Sequence, residues 1–79
     1  MSPTIFREGP YRFYFFSREE LRPHVHVQSP DGEAKFWLDP VVELATNVKL
    51  TDRDLRRIRE LVLEHLEEIQ DAWNRHFGR

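Results

Sequence analysis

The sequence predicts an α+β domain: an antiparallel β-sheet of four or five short strands followed by one long C-terminal amphipathic helix. Residues 4–45 alternate apolar and polar side chains in short runs, broken at Gly9-Pro10, Ser29-Pro30-Asp31-Gly32 and Asp39-Pro40, which is the pattern of strands and tight turns. From Thr51 the period changes. Leu55, Ile58, Val62, Leu66, Ile69, Trp73 and Phe77 recur every three or four residues, marking one stripe of a helix. A chain of 79 residues supports one compact domain, here residues 1–79, and no separate catalytic unit.

Thr4-Ile5-Phe6-Arg7 is the first strand, ended by Glu8-Gly9-Pro10. Tyr11 to Phe16 is the second, with Tyr11, Phe13 and Phe15 on one face and Arg12, Tyr14 and Phe16 on the other, a central strand by its aromatic content. Ser17-Arg18-Glu19-Glu20-Leu21 has capping-box spacing for one helical turn, which Pro23 forbids from continuing. Next come Arg22-Pro23-His24-Val25-His26-Val27 and, after the turn, Glu33-Ala34-Lys35-Phe36-Trp37-Leu38. A four-residue loop pairs Gln28 with Glu33, His26 with Lys35, His24 with Trp37 and Val25 with Phe36. All the polar side chains then share one face. Val41-Val42-Glu43-Leu44-Ala45 reads as a fifth short strand.

The helix is expected over about 52–77. Thr51 is its N-cap, Asp52 and Asp54 suit the dipole of the first turn, and Gly78 follows as the C′ residue. Such a helix is roughly 39 Å long, more than a sheet of short strands covers, so part of it must project, kink or meet another chain. Leu61 and Leu63, off the main stripe, suggest a homodimer contact.

Cysteine is absent, which excludes disulfides and thiolate ligands and fits a reducing cytoplasm. No apolar run approaches the ~20 residues of a membrane span, and Met1-Ser2-Pro3-Thr4 lacks a basic leader region; a cytoplasmic protein without membrane or cofactor is expected. Charged residues make up 33% of the chain and the net charge is −2, which argues against a strongly basic nucleic-acid binder.

His24 and His26, two residues apart on one strand face, are the candidate catalytic pair. As neutral and protonated imidazoles near pH 6.5 they would serve as general base and general acid. With Asp39, Glu33 or Glu43 they would instead begin a metal site, although the spacing is not diagnostic and no metal is assigned. The simpler reading is a polar strand face with the imidazoles stacked on Trp37. On the same face Arg12, Arg22 and Lys35 would hold phosphates while Tyr14 and Trp37 stack bases, unless a helix or partner covers them. Arg53, Arg56 and Arg57 would extend this basic surface from the start of the helix, or simply form its solvated side.

The segments Pro3-Thr4-Ile5-Phe6-Arg7-Glu8-Gly9, Tyr11-Arg12-Phe13-Tyr14-Phe15, Pro23-His24-Val25-His26-Val27, Gly32-Glu33-Ala34-Lys35-Phe36-Trp37-Leu38 and Ala72-Trp73-Asn74-Arg75-His76-Phe77 resemble, over nearly the whole chain, a family of small bacterial proteins known as domain of unknown function forty-one-sixty. The resemblance implies a compact α+β domain and a protein partner encoded by a neighbouring gene, in pairs that look like toxin–antitoxin systems. It carries over no activity. Three functions are therefore expected to compete: a toxin-like module acting through its partner, an RNA-binding or metal-independent RNA-cleaving domain, and a histidine-based metal enzyme.

Overall fold

The computed structural model describes residues 4–16 and 22–78. The helical turn expected at Ser17–Leu21 lies outside the described residues. Five strands, β1 (Thr4–Glu8), β2 (Tyr11–Tyr14), β3 (His24–Gln28), β4 (Glu33–Trp37) and β5 (Glu43–Val48), form one sheet in the order 1-2-3-4-5, every neighbouring pair antiparallel.

Local chemistry explains the connections. Glu8 pairs with Tyr11, leaving a two-residue loop whose first member, Gly9, takes φ 56°; a hairpin of this kind needs that left-handed φ, and glycine adopts it without a Cβ clash. The β3–β4 hairpin has the expected register, Gln28 opposite Glu33, His26 opposite Lys35, Val25 opposite Phe36 and His24 opposite Trp37. Its loop closes through the Ser29 N–H donating to the Gly32 carbonyl at 2.9 Å. A Cβ on Gly32 would collide with the Val48 carbonyl oxygen, so the loop requires glycine to let β5 approach. The fifth strand starts two residues later than expected, because the pair Asp39-Pro40 and the exposed Val41 carry the chain around the corner and Val42 drops into the core at 8% exposure.

One long helix is not what forms. The segment folds as α1 (Asp52–Glu64) and α2 (Leu66–Phe77) with a break at His65, whose φ −105° and ψ 16° leave the helical region. Hydrogen bonds bridge the break, from the His65 N–H to the Leu61 carbonyl and from the Ile69 N–H to the His65 carbonyl. Neither proline nor glycine stands there. The break comes with tertiary contacts, His65 stacking on Phe6 at 4.2 Å and Phe6 on Phe13 at 4.3 Å, and with a local one, the His65 ring meeting the Glu68 carboxylate at 3.0 Å. A straight helix of ~39 Å would overrun the molecule's 33 Å long axis, whereas two shorter helices each aim their own stripe at the sheet.

The caps are those expected. The Thr51 hydroxyl accepts from the Asp54 N–H and the Asp54 carboxylate accepts from the Thr51 N–H, a reciprocal box. Gly78 ends α2 in the left-handed region at φ 72°. Both helices lie against one sheet face, where Phe13, Phe15, Val25, Val27 and Phe36 pack with Ile58, Leu61, Val62, Ile69 and Trp73. Leu61, expected off the stripe, is 1% exposed, and Leu63 alone of that pair faces solvent. The break also absorbs the surplus helix length, which removes that argument for self-association. The Tyr11 hydroxyl ties the sheet to α1 by donating to the Asp54 carboxylate at 3.0 Å. Burial, then this bond, pushes the Tyr11 pKa up. Hydrogen bonds from Tyr11 and then Thr51 hold the Asp54 carboxyl below its ordinary range.

Candidate nucleic-acid interface

The sheet face turned away from the helices carries the candidate residues in rows, because side chains directly opposite each other on neighbouring strands share a face. One row runs Arg7, Arg12, Gln28 and Glu33; the next runs Thr4, Tyr14, His26, Lys35 and Thr46; His24 and Trp37 form a third. Alternation in β2, β3 and β4 creates these rows without any long-range information.

Cations sit on the aromatic rings. The Arg12 guanidinium lies 4.4 Å from the Tyr14 centroid, and the Arg22 guanidinium and Lys35 ammonium lie 4.2 and 4.4 Å from that of Trp37, each a cation–π contact of about 0.5–1 kcal/mol where partly exposed. Arg22 Nε also donates to the Asp39 carbonyl at 3.2 Å, and Arg12 Nε donates to Thr4 Oγ1 at 2.7 Å. A guanidinium stacked on a ring keeps its N–H groups in the guanidinium plane, the geometry that meets phosphate oxygens edge-on.

The two histidines are not the equivalent open pair expected. His24 is fully buried, its ring 5.1 Å from His26, 5.7 Å from Trp37 and 5.0 Å from Trp73 of α2. Its Nδ1 donates to the Arg22 carbonyl at 2.7 Å, and since a carbonyl only accepts, the proton resides on Nδ1. This is the environment of a packed ring. His26 is half-buried, between Tyr14 at 5.4 Å and Phe16 at 4.4 Å. Tyr14 is only 5% exposed, so its ring is shielded from an incoming base. Trp37 remains half-buried.

Arg53, Arg56 and Arg57 are exposed on α1, in the layer behind the sheet, and so do not extend the outer face. Arg57 pairs with Glu60 at 3.3 Å; Arg56 borders a groove floored by Phe36, Val42, Leu44 and Leu55. Among the described residues, no three His, Cys, Asp or Glu side chains gather where they would hold a metal ion, so Glu33, Asp39 and Glu43 do not complete a site with the histidines. No helix among the described residues is long and apolar enough to cross a membrane.

Phe16, placed by alternation on the face of Arg12 and Tyr14, joins the ring cluster, 5.4 Å from Tyr14 as well as close to His26; Arg7 is the member that the sequence reading did not place there. Arg7 stands directly opposite Arg12, which counting outward from a two-residue Gly9-Pro10 loop would have found.

Residues 11–74 match the model of a family described as Domain of unknown function (DUF4160). Neither the comparison with curated proteins nor that with solved structures finds a match.

Proposed function

The chain belongs to this family of unknown function, and from that premise we propose that it is an RNA-binding module, the toxin-like member of a two-gene pair whose second protein is its partner. The resemblance supplies the two-gene context. The observation that carries the RNA reading is the seating of Arg12, Arg22 and Lys35 on two aromatic rings of a sheet face outside the helical layer. A base stacking on Trp37 would displace one of its cations, which would then meet the adjacent phosphate. The helices behind the sheet expose Glu60, Glu64, Glu67, Glu68 and Asp71 together with Arg53, Arg56, Arg57, Arg59 and Arg75, whereas the outer face sets Arg7, Arg12, Arg22 and Lys35 against Glu33 and Glu43, a local cationic excess in a chain whose net charge is −2. Binding is favoured over histidine-pair cleavage because His24 is buried.

The test is fluorescence anisotropy of short single-stranded RNA with the full chain, Trp37→Ala and Lys35→Gln. Loss of the stacking ring should weaken binding by about fivefold or more, the low end of ~1–3 kcal/mol per stacked base, and loss of Lys35 should flatten the salt dependence. Identical affinities and salt slopes in all three proteins would reject the reading. Co-purification of the neighbouring gene's product tests the partner separately.

A further inference from the structure

We infer that the end of the outer face where β1 and β2 meet is a binding site for a phosphate group. Arg7 and Arg12 are directly opposite each other in the β1–β2 register, and like charges in that position destabilise a strand pair. A hairpin that keeps two arginines directly opposite each other at that cost has a reason outside its own folding. Both arginines line a concavity of about 420 Å3 together with Thr4, Gln28 and Ser29, within the roughly 300–1,000 Å3 of small-ligand sites. No carboxylate is among the described residues of that lining. Glu8, next to Arg7, is opposite Tyr11 and by strand alternation belongs to the other face.

The arrangement is pre-set. Arg12 donates from Nε to Thr4 Oγ1 at 2.7 Å and from Nη1 to Gln28 Oε1 at 3.4 Å, bonds that fix its guanidinium plane before any ligand arrives. Two guanidinium forks flanked by hydroxyls suit a tetrahedral oxyanion, which accepts several charge-assisted hydrogen bonds at once. The chemistry required is a phosphate mono- or diester, supplied either by an RNA backbone or by a small phosphate ester. The inference goes beyond the RNA reading, since the pocket lies on the row of Arg7, Arg12 and Gln28, with the row of His26 and Lys35 between it and Trp37, and would bind phosphate on its own.

The test is a titration of the full chain with inorganic phosphate, followed by side-chain Nε–Hε and backbone N–H resonances, beside sodium chloride at equal ionic strength. Phosphate should shift the resonances of Arg7, Arg12 and Ser29 and raise the melting temperature, where chloride does neither. Arg7→Gln should weaken the phosphate response at least fivefold, and should melt no lower than the parent without phosphate because the opposed charges are gone. Equal responses to phosphate and chloride, or an Arg7→Gln variant that responds like the parent, would overturn the site. A short single-stranded RNA identifies the source: RNA competing with phosphate for these resonances makes the ligand a phosphodiester, while phosphate binding untouched by RNA makes it a small phosphate ester. RNA bound with no phosphate response would reject this pocket alone. A phosphate response with no RNA bound at all would reject the RNA reading alone.

Discussion

On the inner face of the sheet Phe13, Val25, Val27 and Phe36 are at most 1% exposed beneath Ile58, Leu61, Val62 and Ile69; on the outer face Arg12, His26, Lys35 and Trp37 are half-buried by one another. The same strands supply both sets by simple alternation, yet the two are held differently. Inner side chains are covered by another layer and gain from removal of their whole surface from water, about 25 cal/mol per Å2 of apolar area. Outer side chains gain from ring contacts and cation–π pairs of a kcal/mol or less each, which a ligand can exchange for its own. The inner face therefore carries stability, and the outer face is free to carry recognition.

The largest expected effect breaks the inner side. Phe13→Ala should cost ~3–5 kcal/mol, a large part of what a domain of this size has, and the measurement is chemical denaturation; a loss of under 1 kcal/mol would mean that the two faces do not differ as described. His24→Ala sharpens the comparison, because alternation assigns His24 to the outer face while its burial among Trp37, Trp73 and His26 assigns it to the core. It should behave as a core residue, losing ~2–4 kcal/mol, or at least about 8 °C at ~4–8 °C per kcal/mol. A melting temperature within 3 °C of the parent would return it to the surface.

The smallest effect concerns Tyr11, an inner-face residue whose hydroxyl reaches out of the core to Asp54. The Asp54 carboxyl lies below its ordinary 3.8, so its contribution is present above that value and is lost as pH falls through the folded pKa. The Tyr11 hydroxyl lies above its ordinary 10.0, so its contribution is present below that value and is lost as pH rises through the folded pKa. Tyr11→Phe should accordingly be slightly less stable than the parent between these limits, approach it at acid pH, and match or exceed it at alkaline pH, where only the parent must bury a phenolate. A constant difference across the whole range, in melts taken from acid to alkaline pH, would show that the bond contributes nothing of its own.

How much of this was legible follows from the range of each interaction. Strand alternation, the β3–β4 register, the Thr51 and Gly78 caps and the outer bounds of the helical segment depend on residues a few positions apart, so the sequence by itself determined them. So too was the shared face of Arg12, Tyr14, His26, Lys35 and Trp37, because pairing across a short loop fixes it. The break at His65 could not be read that way: no residue there breaks a helix, and the ring that His65 stacks on belongs to β1 at the other end of the chain. Tertiary packing alone makes Leu61 core, closes Trp73 over His24, shields Tyr14 and puts Arg53, Arg56 and Arg57 in the layer behind the outer face. Periodicity states which side chains share a face; what lies over that face depends on how far a second layer extends, and here the sheet's span and the Phe6–His65 contact set that limit.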